Sequence, residues 1–128
     1  MPTDNIDIFY RNSDLTTTNN VQSSDLYSST LFDTVIGKLI ADINVSDFFN
    51  GSSYDTYSNT SVVYYLKEDS SIFYKICLQN KHNGDRLLPG FFIFKILGGC
   101  GKYVNATGNI YVYISDDLVR NIKLIIDY

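Results

Sequence analysis

Five side chains in this 128-residue sequence could together hold a small molecule: Tyr10, Asp42, Tyr64, Tyr74 and Tyr111. A tyrosine ring is a flat apolar wall with one hydrogen-bonding tip, which suits a phenolic or fatty ligand. Asp42 is the one acid expected within reach of those rings. Other chemistries find little support. The single histidine, His82, sits among Asn80, Lys81, Asn83 and Gly84 in a stretch that reads as a solvated loop. One loop histidine cannot build a Ser/His/Asp or Cys/His arrangement. No His, Cys, Asp and Glu cluster has metal-ligand spacing, so neither a metal nor another cofactor is expected. Cys77 reads as a buried small hydrophobe and Cys100 as a turn residue, and the pair is too few for a disulfide framework. Gly98-Gly-Cys-Gly lacks the Lys-Ser/Thr and the helix that complete a phosphate loop. No residue is assigned a catalytic role.

The elements that must position these side chains read as strands. Ile6–Arg11 alternates with a period of two, and 12–29, full of Ser, Thr, Asn and Asp, reads as a long polar loop. The segment 24–44 is open between two readings. Phe32, Ile36, Leu39, Ile40 and Ile43 fall at helical spacing, whereas Gly37 and the β-branched Thr34, Val35, Ile36, Ile40 and Ile43 favour a strand. A second polar loop spans 46–60. Ser61–Lys67 and Ile72–Leu78 flank Glu68-Asp-Ser-Ser71 as a hairpin, and 80–85 reads as a rim loop. Phe91–Leu97 is apolar on both faces apart from Lys95. Ile110, Val112 and Ile114 alternate with Tyr and polar groups, as do Ile122, Leu124 and Ile126. About seven or eight strands, with no helix that the pattern requires, point to an all-β fold, a small antiparallel closed β-barrel. A strand that is greasy on both sides needs a cover, and Phe92 and Phe94 are expected to point outward against a neighbouring protomer.

The most specific stretch is Ile96-Leu97-Gly98-Gly99-Cys100-Gly101-Lys102-Tyr103 followed by Ala106-Thr107-Gly108. It resembles the glycine-rich signature of dirigent proteins and the related allene oxide cyclases. Gly98, Gly99, Gly101, Tyr103 and Gly108 match its structural positions, and Cys100 stands where the family has Thr or Ser. Thr34–Ile43 is similar to the family's second strand and Val119–Tyr128 to its last. The resemblance implies a calycin-type antiparallel barrel that assembles as a homotrimer. It also implies acids aimed into the lumen, or a first-strand acid followed by proline. The first strand here offers only Asp7, no proline follows it, and Lys102 takes a place where many dirigent proteins carry an acid.

Length and composition set the remaining bounds. The chain is expected to form one domain over residues 1–128. Ten Lys and Arg against 14 Asp and Glu leave a net charge of −4 with no basic stripe, which argues against nucleic acid. No apolar run reaches spanning length and Met-Pro-Thr-Asp-Asn has no signal-peptide character, so a soluble intracellular protein is expected. The Asn-x-Ser/Thr matches at Asn44, Asn50, Asn59 and Asn105 read as compositional. Usage rich in Asn, Ile, Tyr and Lys fits an AT-rich coding genome. The leading functional expectation is a non-catalytic oligomeric barrel, structural or partner-binding, of the kind found in larger assemblies such as a virus particle. The alternative is a barrel that binds a small apolar or phenolic ligand, with dirigent-like or cyclase-like activity. An open lumen would favour the alternative and a packed one the scaffold.

Overall fold

The alternation of apolar and polar residues dominates the architecture of the protein. The structure is a computed structural model that describes residues 1–19, 21–42, 60–67, 76–82 and 89–128. Among these residues the regular elements are strands and two short 3-10 turns. The strands are β1 (Thr3–Arg11), β2 (Thr16–Thr18), β3 (Val21–Tyr27), β4 (Val35–Asp42) and β5 (Thr60–Leu66). They continue as β6 (Ile76–His82), β7 (Gly90–Lys95), β8 (Gly98–Cys100), β9 (Thr107–Ile114) and β10 (Val119–Asp127). The turns are Asn12–Asp14 and Gly101–Tyr103.

All pairings are antiparallel, in the order β7-β9-β10-β1-β3-β4-β5-β6-β8, with β2 paired to β3. The ends of that path, β7 and β8, are consecutive in the chain and separated only by Ile96 and Leu97. One bent stretch thus pairs with β9 in its first half and with β6 in its second. The two ends of the strand path are thus joined by one bent stretch of chain, in a small antiparallel barrel-like sheet. No ladder joins β6 to β7 among the described residues.

Period-two alternation sets which face is core. Ile8, Ile122, Val112 and Phe92 lie side by side across β1, β10, β9 and β7, and Ile6, Leu124, Ile110 and Phe94 form the next row. Leu39, Tyr64 and Leu66 extend the apolar interior from β4 and β5. Ile8, Leu26, Ile110, Leu124 and Ile126 are fully buried. Each such side chain contributes roughly 1.5–3 kcal/mol from removal of its surface from water.

Several expectations change. The polar stretch 12–29 is no loop throughout, since it holds β2 and all of β3. β3 forms because its partner β4 supplies a ladder over nearly its whole length, and Ser24 and Leu26 are buried against the core. The segment 24–44 is strand, turn and strand where it is described, not helix: β-branched content and Gly37 outweigh the helical spacing. Asn80, Lys81 and His82 belong to β6 rather than to a rim loop. The hairpin of β5 with β6 exists, with Leu66 opposite Ile76, and the expected strand residues 72–75 and the turn 68–71 lie outside the described residues.

The outward reading of Phe92 and Phe94 is also overturned. Both rings stack on each other, 6.5 Å between centroids, and pack against the core. Their inward register is fixed by pairing with Val112 and Ile110, so Phe91 and Ile93 take the outer face instead. Cys100 closes β8, opposite Cys77 of β6, rather than sitting in a turn.

Candidate functional site

Two groups of side chains stand out from this frame, one at a split in the sheet and one on its outer face.

The split follows from stagger. β1 and β3 are joined in register only at Phe9 and Tyr27, so the N-terminal half of β1 has β10 as its one ladder partner among the described residues. Beyond that seam the end of β5 is tied to the start of β4 by the Lys67 amide, which donates to the Ile36 carbonyl at 2.9 Å. A cavity of about 360 Å³ opens there, lined by Asp4, Ile6, Ile36, Leu66, Lys67, Lys102 and Tyr103.

The glycine cluster delivers the last two of these residues. Gly101 has φ 57°, a conformation that side chains disfavour, and it begins the tight turn that swings Lys102 and Tyr103 toward β1. Tyr103 is fully buried and its hydroxyl donates to Asp4 Oδ2 at 2.7 Å. The Tyr128 hydroxyl donates to Asp4 Oδ1 at 3.1 Å, and Lys102 Nζ lies 2.9 Å from Oδ2. The Tyr103 and Tyr128 rings meet edge to face at 5.3 Å. Lys102 Nζ sits 5.0 Å from the Tyr128 ring centroid and 5.6 Å from that of Tyr103, within cation–π range.

The hydrogen bond from Tyr103, then that from Lys102, hold the Asp4 carboxyl below its ordinary range. The hydrogen bond to Asp4 raises the Lys102 ammonium. Burial, followed by the bond to Asp4, pushes the Tyr103 phenol up, so it remains a donor at any physiological pH. The arrangement fixes an ionised carboxylate under three donors.

The outer face is built by the opposite parity of the same strands. Phe91 pairs with Tyr113 and Ile93 with Tyr111, while Lys123 pairs with Tyr111 on one side and Asp7 on the other. Phe91 stacks on Tyr111 at 6.2 Å. Phe91 is 60% exposed, Ile93 57% and Tyr113 52%. A groove of about 420 Å³ runs between Asp7, Phe91, Tyr111, Tyr113, Asn121, Lys123 and Ile125. A second, of about 340 Å³, shares Tyr113 and Asn121 with it and continues past Phe9 and Phe32. Arg11 caps that end, its guanidinium 4.1 Å from the Phe32 ring centroid and its charge paired with Asp14 at 2.9 Å.

The expected tyrosine-lined mouth is dispersed. Tyr64 is buried within the core, and Tyr10 lies at its edge with the Arg120 guanidinium 5.2 Å from its ring centroid. Tyr111 belongs to the outer face, on the other side of the sheet from Ile110 and Val112. Asp42 ends β4 opposite Ser61 of β5 and Val21 of β3. Tyr74 lies outside the described residues. Gly98 and Gly99 form β8 opposite Gln79 and Leu78, and Gly108 allows β9 to cross close to β10.

A first strand read from Ile6 leaves Asp4 out, whereas β1 begins at Thr3. The alternation of Ile6, Ile8 and Tyr10 extends backward to Asp4 and was the available signal. The sequence reading also misses Arg120, which is 2% exposed and donates to the Leu118 carbonyl at 3.2 Å and to Asn12 Oδ1 at 3.4 Å. Nothing in the alternation of the last strand distinguishes an inward arginine from an outward one.

No protein-family model and no curated protein matches the chain. A solved structure named pyocyanin demethylase is similar to it with a TM-score of 0.57, over 97% of this chain and 99% of that one, at 13% identity. At that identity the likeness is one of fold. No helix among the described residues is long and apolar enough to cross a membrane.

Proposed function

We propose that the protein is a non-catalytic barrel that assembles with copies of itself through the outer face of β7, β9 and β10, and serves as a structural or partner-binding module. The observation that supports this most is the exposure of Phe91, Ile93 and Tyr113 side by side on one face. An apolar patch of neighbouring large side chains costs solubility unless a partner covers it. Its rim carries both signs of charge, Asp7 beside Lys123 with Lys95 near, around an aromatic centre. A second copy of the chain suits such a rim, because each acid can meet a lysine of its neighbour. Three copies turning this face to a common axis would bury it, which is the trimer that the glycine-rich signature implies.

Sedimentation velocity tests the reading. Phe91→Asp combined with Ile93→Asp places two charges at the contact and is expected to shift the species to the monomer, since burying each unpaired charge costs several kcal/mol. Both side chains are exposed in the single chain, so the fold should survive. An unchanged sedimentation coefficient would reject this face as the contact.

The ligand-binding reading keeps one supporting observation: the groove of about 420 Å³ beside Phe91, Tyr111 and Tyr113 has the size of a small-molecule site. Assembly through the same face would close that groove, so the two readings part on the same sedimentation experiment.

A further inference from the structure

We infer that the slot between β1, the β3–β4 turn and the β9–β10 turn binds a small arylalkyl ammonium ion, with its apolar body against Phe9, Phe32 and Tyr113 and its charge on Asp117. This goes beyond the assembly reading, since the slot shares Tyr113 with that face but extends from it across β10 toward β1. Its walls follow from register. Tyr27, Phe9, Asn121 and Tyr113 are successive cross-strand partners over β3, β1, β10 and β9, so they stand in one row on the outer face. The short Asn121 leaves a trough between the rings of Phe9 and Tyr113. Phe32 borders that trough from the β3–β4 turn. Its φ of 53° is one that a bulky residue disfavours. Its ring meets Tyr27 edge to face at 5.5 Å, and the Arg11 guanidinium lies 4.1 Å from its centroid. The slot measures about 340 Å³. Phe9 and Phe32 are half-buried and Tyr113 is exposed, so all three rings keep surface that a ligand can cover.

Charge selects among the ligands that such walls accept. Asp117 is the one charged residue in the lining. Among the described residues its carboxylate has a single side-chain partner, the Ser115 hydroxyl, which donates to Oδ1. Arg11, at the end of the slot, is committed elsewhere: its Nε and Nη2 each donate to Asp14 at 2.9 Å. Lys123 lies one row away, between Asp7 and Tyr111, and lines the neighbouring groove instead. An organic anion would meet Asp117 with no basic lining residue to answer it. A neutral ring would cover the walls and leave the carboxylate unmatched. An ammonium on an aromatic body meets the carboxylate and the electron-rich ring faces together.

The test is a titration of the full-length, isotope-labelled chain with naphthalene-2-methylamine, protonated at neutral pH, read by amide chemical shifts. Saturable shifts are expected at Phe9, Phe32, Ser115, Asp117 and Asn121. Naphthalene-2-methanol, with the same body and no charge, should bind about fivefold more weakly, the size of an exposed ion pair and a cation–π contact together. That preference should shrink as salt is raised, because Asp117 is exposed. Asp117→Asn keeps an acceptor for Ser115 and should remove most of the preference while leaving the alcohol unchanged. The spectrum itself reports whether the variant is folded, and the salt series on the parent carries the same comparison should it fail. Equal affinity for amine and alcohol at low salt would overturn the inference. So would shifts confined to Phe91, Tyr111 and Lys123, or a preference indifferent to Asp117→Asn. Sedimentation of the same samples reads assembly separately. A monomer that binds the amine leaves this inference standing without the assembly reading, and a trimer that does not bind it does the reverse.

Discussion

Asp4 holds together three parts of the chain that are far apart in sequence: the first strand, the turn after β8 and the C-terminal Tyr128. Tyr103→Phe removes the shortest of its contacts while keeping the buried ring. A hydrogen bond to a charged group is worth roughly 1.5–3 kcal/mol when dry, and partial exposure of the carboxylate lowers that here. A loss of about 1 kcal/mol in urea unfolding is expected, and no loss would mean that the hydroxyl is equally well served by water. Asp4 also sets an acid dependence. Its folded pKa is below the ordinary carboxylate value of 3.8, so its contribution is fully present above that value and is lost as pH falls through the lower, folded one. Asp4→Asn should therefore be less stable than the parent near neutral pH. The gap between the two should narrow as pH drops below 3.8, and a constant gap across that range would contradict the assignment. The cluster was half legible beforehand. Lys102 and Tyr103 stand in a conspicuous glycine-rich run, whereas Asp4 is one acid among 14 and acquires its role only through a contact 99 residues away in the chain.

Among the elements, β9 and β10 illustrate what strict alternation can encode. Ile110, Val112 and Ile114, like Ile122, Leu124 and Ile126, declare a buried face before any partner is known, and both strands form where alternation puts them. β3 shows the converse. Val21-Gln-Ser-Ser-Asp-Leu-Tyr27 has little intrinsic strand signal and owes its extended form to the ladder with β4, a tertiary effect that no local window contains. Phe91–Lys95 sits between the two cases. Its one internal clue to parity is Lys95, which shares the exposed face with Phe91 and Ile93, and pairing with β9 sets the same register. The close crossing of β9 and β10 gives this scale its own prediction. Gly108 has φ 131°, and a Cβ there would run into the Ile125 carbonyl oxygen. Gly108→Ala is expected to cost about 3 kcal/mol or more, strain and clash together. Gly98→Ala shares the positive φ, at 149°, yet meets no atom within 4 Å, and should cost clearly less. Equal costs at the two positions would mean that backbone strain alone, and not the approach of β10, explains Gly108.

The whole molecule presents two faces made by one rule. Inward parity fills the interior with Ile, Leu, Val and the rings of Phe92, Phe94, Tyr10 and Tyr64, which accounts for the fold without reference to any ligand. Outward parity on β7 and β9 leaves Phe91, Ile93 and Tyr113 exposed beside the half-buried Tyr111, in an aromatic band that no described residue covers. Folding therefore explains one face, and assembly is the proposed explanation of the other. Light scattering on the unmodified protein at low micromolar concentration addresses that claim most directly. The proposal predicts a particle of roughly three times the 14.5 kDa chain mass. A stable particle of one chain mass would contradict it and leave the aromatic band to be explained by something other than a copy of itself.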